Sequence, residues 1–277
     1  VFWSIVSPIA VRIVPEKARP LALMMIATGT SIAIILGLPL GRIIGLTIGW
    51  RMTFLCIGIF ATSIAIYLGF CLPKVPSRGG FSFRQLPQLL RNKPLVRLYI
   101  FTLLVVTGYY TGYSYIEPFM GQVAHLSENM ITTTLMVFGI MGIIGSFAYS
   151  RFYPKRPYLF MCVAILIITT CLSSLGLAAS IPVLAMAICG FWGMAVNGFN
   201  VAMQQEVIDN SSTEATAVAM SIYSGIYNLG IGSGTFLGGA VCTYLSISHI
   251  GYIGGTIVFA GLLFWLIKVI RSRIIGI

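Results

Sequence analysis

The sequence places polar side chains inside apolar runs at three points. In "GYYTGYSYIEPF", Tyr110, Tyr113 and Glu117 stand at i, i+3 and i+7, one face of a continuous helix, with Tyr109 beside them. A tyrosine offers a flat apolar face to a ring and a hydroxyl to that ring's oxygens. Glu117 is the acid nearest a span interior; a desolvated carboxyl has a raised pKa and can trade protons near neutral pH. In "NGFNVAMQQ", Asn197, Asn200 and Gln204 repeat the i, i+3, i+7 spacing. Amides donate and accept at once, which suits a hydroxyl-rich ligand; Gln204 is expected at the helix end. In "YSGIYNLGIGSG", Asn228 falls near the middle of a run, with Tyr223 and Tyr227 before it. The alternatives are an interfacial aromatic belt with Glu117 wet at the outer surface, and amides that only bond helix to helix.

These clusters need elements to position them. Hydrophobic residues make up 58% of the 277, charged residues 8%, and mean hydropathy is +0.97. Soluble domains carry about 25% charged residues, so this is an all-α polytopic membrane protein. The net charge of +11 does not point to nucleic acid, because the positive residues sit in short loops between apolar spans. Six cysteines occur singly, without a CxxC pair, and predict neither disulfide framework nor zinc site. No catalytic triad, phosphate loop, metal cluster or cofactor box is found, so neither an enzyme nor a cofactor is expected. His125 and His249 are isolated.

Apolar segments are predicted over 1–14, 21–45, 53–72, 98–119, 129–149, 157–178, 183–203, 216–240 and 250–270. The first is too short to cross a bilayer. Lys74, Arg78, Arg84, Arg91, Lys93 and Arg97 load the stretch 73–97; Arg151, Lys155 and Arg156 load the loop 150–156; Lys268, Arg271 and Arg273 load the tail. The positive-inside rule puts these loops and the C-terminus in the cytoplasm. The segment 73–97 is read as a central linker, with "FSFRQLPQLLRN" either solvated or lying along the membrane surface. It separates 1–72, the remainder of an N-terminal bundle, from a six-helix bundle over 98–277.

Glycine recurs every fourth residue in "GLPLGRIIGLTIGWR", at Gly37, Gly41, Gly45 and Gly49, with Pro39 inside. Small residues four apart let helices approach closely in lipid, and a proline bends its helix. These positions are expected to pack and to gate. Gly230, Gly234 and Gly238 repeat the pattern near the other end of the chain. Parallel repeats of this kind imply a parent of twelve spans in two sixes, with three spans expected ahead of Val1.

The chain resembles the major facilitator superfamily, in its drug:proton antiporter group, and is closer still to bacterial sugar efflux transporters. The resemblance rests on "FWSI", "IATGTSIAIILGLPLGRIIG", "GWRMTF", "VVTGYYTGYSYIEPF", "GIIGS", "FWG" and "SGIYNLGIGSG". Gly29, Gly37, Pro39 and Gly41 resemble that group's antiporter signature. The resemblance implies a bacterial inner-membrane protein exporting sugars or sugar-like compounds against protons. It also implies that the principal coupling acids precede this sequence, which leaves Glu117 a partner. The alternatives are multidrug efflux and an inactive, truncated remnant of such a transporter.

Overall fold

A computed structural model describes residues 2–71, 91–212 and 215–275, and every regular element among them is helical. Most of the linker, including "FSFRQLPQLL", lies outside the described residues, as do the side chains of Pro39, Arg42 and the basic C-terminal tail. The helices are α1 (Phe2–Ile13), α2 (Arg19–Thr47), α3 (Trp50–Cys71), α4 (Lys93–Tyr113), α5 (Ile116–Gln122), α6 (Glu128–Phe152), α7 (Pro157–Ala178), α8 (Pro182–Asp209), α9 (Thr216–Tyr244) and α10 (Ile250–Ile275). By length and composition, six segments among the described residues can cross a membrane: α3, α4 with α5, α6, α7, α8, and Ile247–Ile267. At 29 residues each, α2 and α9 are about 43 Å long, also enough to span.

Local chemistry sets the ends. The Asn92 side chain accepts from the Leu95 N–H at 3.3 Å and starts α4, so Lys93 and Arg97 belong to this helix rather than to the linker. Ser127 caps α6 in the same way through Met130. Prolines stand in the first turns of α4, α7 and α8, where their missing N–H is not needed.

The predicted span 98–119 is interrupted. Pro118 has no N–H to offer the Ser114 carbonyl, and the helix gives way at Ser114–Tyr115 before α5 resumes it. Tyr110 and Tyr113 therefore lie on α4 and Glu117 on α5, and the single face expected for the three is not formed.

α4, α6, α7, α8, α9 and α10 form one bundle, with α6 on α8, α9 on α4, and α10 against both α7 and α4. Its centre is aromatic: Phe101 stacks on Trp265 at 4.9 Å and meets Phe199 edge-on at 5.8 Å. α1 leans on α9, α2 on α6, and α3 on α2. The loops after α1, α6 and α8 meet at one end, where Glu16, Arg19, Tyr153, Glu206 and Asp209 line one pocket. The Asn92 amide joins them by donating to the Asn210 carbonyl at 3.1 Å. The loops after α1, α6 and α8 and the start of α4 thus share one end of the bundle.

The two glycine repeats behave differently. Against α4, α9 has no room for a side chain: a Cβ on Gly234 would meet the Thr107 carbonyl at 2.5 Å, and one on Gly238 the Thr111 carbonyl at 2.7 Å. Gly37 has nothing within 4 Å, and Gly41 and Gly45 face only Thr53 of α3, at 3.8 and 3.7 Å. The close approach expected at Gly37, Gly41 and Gly45 is not seen among the described residues. α2 is held through Leu23, Met24 and Ala27 in its first half, while Leu36 and Leu40 further along are exposed.

Candidate functional site

The α4–α9 glycine seam brings two tyrosines together at mid-bundle. Tyr109 of α4 and Tyr227 of α9 share a hydrogen bond between their hydroxyls. Beside Tyr109, Tyr110 lies ring to ring at 4.6 Å, and Tyr113 meets Tyr110 edge-on at 5.7 Å. Tyr113 is wedged between Phe138 of α6 (5.2 Å) and Trp192 of α8 (6.0 Å, perpendicular). Trp192 is fully buried and braces Tyr113 from behind, while Phe138 both packs on Tyr113 and lines the cavity.

Opposite stands the amide face of α8. A Cβ on Gly193 would run into the Phe138 backbone carbonyl, so α6 and α8 touch backbone to backbone. Asn197 then donates across the seam to the Gly142 carbonyl at 2.9 Å. Asn200 accepts from the Tyr223 hydroxyl at 3.3 Å and from the Gln204 amide at 3.4 Å. Tyr109, Tyr110, Tyr113, Asn197, Asn200 and Tyr227 line one cavity of about 100 Å³. The Asn200 N–H groups and the Tyr113 hydroxyl have no protein partner among the described residues. The cavity therefore presents free donors between aromatic faces.

Two expected residues lie elsewhere. Asn228 is exposed and donates to its own helix, to the Ser224 carbonyl at 2.7 Å. Tyr223 and Tyr227, four apart, face the amides; Asn228 is turned about 100° away from Tyr227. Tyr227 rather than Asn228 lines the cavity, and Tyr223 reaches it only through its bond to Asn200. Glu117, on the first turn of α5, is exposed. Glu117→Gln is therefore expected to leave efflux and its pH profile within about twofold of wild type; a flattened pH profile in this variant would restore Glu117 to proton coupling.

The sequence did not mark Phe138 or Trp192 for the site, and it placed Gln204 at a helix end. Gln204 is buried instead, and accepts from the Ser7 hydroxyl at 2.5 Å. Ser7, Gln204, Asn200 and Tyr223 form a chain of hydrogen bonds from α1 to the cavity. No local pattern announces a partner 197 residues away. At the loop end, Tyr153 donates to Glu206 at 2.8 Å. Burial first, and the Glu206 charge next, push its ionisation far above the usual range, so it stays a donor.

A membrane bundle of long helices around a small polar cavity, with packing seams of glycine, is the architecture of a secondary transporter. Residues 1–218 match the model of the Major Facilitator Superfamily. The chain is 41% identical over 275 residues to a probable sugar efflux transporter of Mannheimia succiniciproducens, covering 99% of this chain and 69% of that protein. It superposes on the crystal structure of the human organic anion transporter MFSD10 (TETRAN) with a TM-score of 0.78 at 17% identity, over 95% of this chain and 67% of that one. The chain belongs to the major facilitator superfamily, as its motifs implied, and its fold is that of these transporters.

Proposed function

We propose that this protein exports sugars or sugar-like compounds across the bacterial inner membrane by alternating access, in exchange for protons. The loop end of the bundle and the C-terminus face the cytoplasm. The observation that carries the substrate class is the convergence of Tyr109, Tyr110, Tyr113, Asn197, Asn200 and Tyr227 on one cavity. The likeness to a probable sugar efflux transporter supports it. Tyrosine faces accept the C–H side of a pyranose, and the Asn200 amide and Tyr113 hydroxyl bond its oxygens. At about 100 Å³ the cavity is below the usual 300–1,000 Å³ of small-ligand sites. A sugar enters by separating the Tyr109–Tyr227 pair and taking over those bonds.

The second reading, multidrug export, draws on the same aromatic rings. An apolar drug would leave the Asn200 and Tyr113 donors unpaired, at about 1–3 kcal/mol each, and this favours the sugar. Tyr113→Phe keeps the ring and removes one donor. It is expected to slow efflux of radiolabelled sugar from preloaded cells about fivefold, the equivalent of one hydrogen bond of about 1 kcal/mol, while drug susceptibility stays unchanged. Unchanged sugar efflux with altered drug susceptibility would turn the assignment to drugs.

A further inference from the structure

A second groove among the described residues is larger than the polar cavity and separate from it. It lies between α6, α7 and α8 toward the loop end and has a volume of about 500 Å³. Its floor is made of small residues, Ala148, Ala164 and Ala195 among them, which leave space that larger side chains would fill. Its mouth is formed by Phe152, Leu159 and Val163, exposed at 60%, 52% and 45%. On a membrane-spanning bundle, such residues face hydrocarbon. The lining is apolar except at one end, where Lys155 and Arg156 stand in the α6–α7 loop. Both are exposed, and neither has a carboxylate partner among the described residues.

A sugar could not satisfy its hydroxyls along this wall, and water would find few partners there. The fitting occupant is an apolar chain that carries negative charge at the end nearest the two cations. We propose that the groove is a binding site for one anionic phospholipid of the inner leaflet. One acyl chain lies between α6, α7 and α8, and the phosphate rests on Lys155 and Arg156. Basic pockets between membrane helices on the cytoplasmic side recognise anionic headgroups in this way. The lipid would close the side of the α6–α8 seam that supports Asn197, away from the sugar cavity.

Competitive displacement of a fluorescent phosphatidylglycerol from the detergent-solubilised full chain tests this, and it depends on neither transport nor membrane orientation. Phosphatidylglycerol should bind at least tenfold more tightly than phosphatidylcholine. The preference should collapse toward unity in Lys155→Gln/Arg156→Gln. Val163→Trp, which fills the groove without altering charge, should weaken both lipids. Soluble glycerol phosphate should not compete. Equal binding of the two lipids by the wild-type chain overturns the proposal, a result that needs no variant to fold. So does a preference that survives in Lys155→Gln/Arg156→Gln, undiminished binding in Val163→Trp, or displacement by glycerol phosphate. A groove that proves to be a contact between two copies, seen as a dimer lost in Val163→Trp with no lipid preference, overturns it as well.

Discussion

Gly234→Leu is expected to abolish efflux and to destabilise the bundle. A Cβ at this position would sit 2.5 Å from the Thr107 carbonyl, 2.8 Å from the Tyr110 Cβ and 3.1 Å from the Thr111 N–H. Two of these atoms are α4 backbone, so no rotamer change relieves the clash. The helices must separate, and α4 and α9 are also the pair that holds Tyr109 against Tyr227. Overpacking of a close-packed contact costs about 1–3 kcal/mol, and a whole leucine facing backbone falls at the upper end or beyond. Even Gly234→Ala, which adds the Cβ alone, should lower the melting temperature and cut efflux about tenfold. Gly232, two residues away on the same helix, has nothing within 4 Å. Gly232→Ala is the matched control and should express, melt and transport as wild type. Efflux and melting temperature of Gly234→Ala equal to those of Gly232→Ala would show that the α4–α9 seam is not tight in the working protein.

That contrast shows why the glycines could be counted in the sequence but not ranked. Gly37-x3-Gly41-x3-Gly45 and Gly230-x3-Gly234-x3-Gly238 are the same pattern. A period of four puts small residues in one row of a helix, yet it does not name the neighbour. Only the packing shows that α4 backbone fills the space beside Gly234 while nothing among the described residues lies within 4 Å of a Cβ on Gly37. The helices themselves were legible, because in lipid an apolar run of about 20 residues has one outcome. The break at Ser114 was written in Pro118 and passed over, since "GYYTGYSYIEPF" also scans as one continuous face. The cavity face was legible where side chains on one helix agree, since Tyr109, Tyr110, Tyr113, Asn197 and Asn200 line one cavity. It was read one position off at Asn228, because choosing between Tyr227 and its neighbour requires knowing which way α9 is turned. Trp192 and Phe138 were legible only as apolar residues; that they brace Tyr113 is a three-helix fact.

Gln204→Leu carries the other large effect. The side chain is 6% exposed and is the only bridge between Ser7 of α1 and Asn200 of the cavity among the described hydrogen bonds. Leucine is of similar size, so the substitution removes polarity rather than volume. It leaves the Ser7 hydroxyl, in a residue with no exposed surface, without its acceptor, and a buried unpaired group costs about 1–3 kcal/mol. If α1 resting on α8 and α9 is how the inner side closes, that cost falls on the inner-closed state alone. A shift of this size changes the population ratio by about five- to a hundredfold, and efflux should fall accordingly. Sugar binding should fall much less, because Asn200 keeps its bond from Tyr223. A merely structural glutamine could also lower efflux by loosening the fold. The double-mutant cycle with Ser7→Ala separates the two cases. Ser7→Ala removes the orphaned hydroxyl, so adding it to Gln204→Leu should recover part of the lost efflux, with a coupling of about 1 kcal/mol. Labels placed on α1 and on α8 should report, in the same four proteins, a distance that widens in Gln204→Leu and narrows again in the pair. Additive losses with an unchanged α1–α8 distance would leave Gln204 a packing residue and would separate closure of the inner side from the chain of hydrogen bonds that leads to the polar cavity.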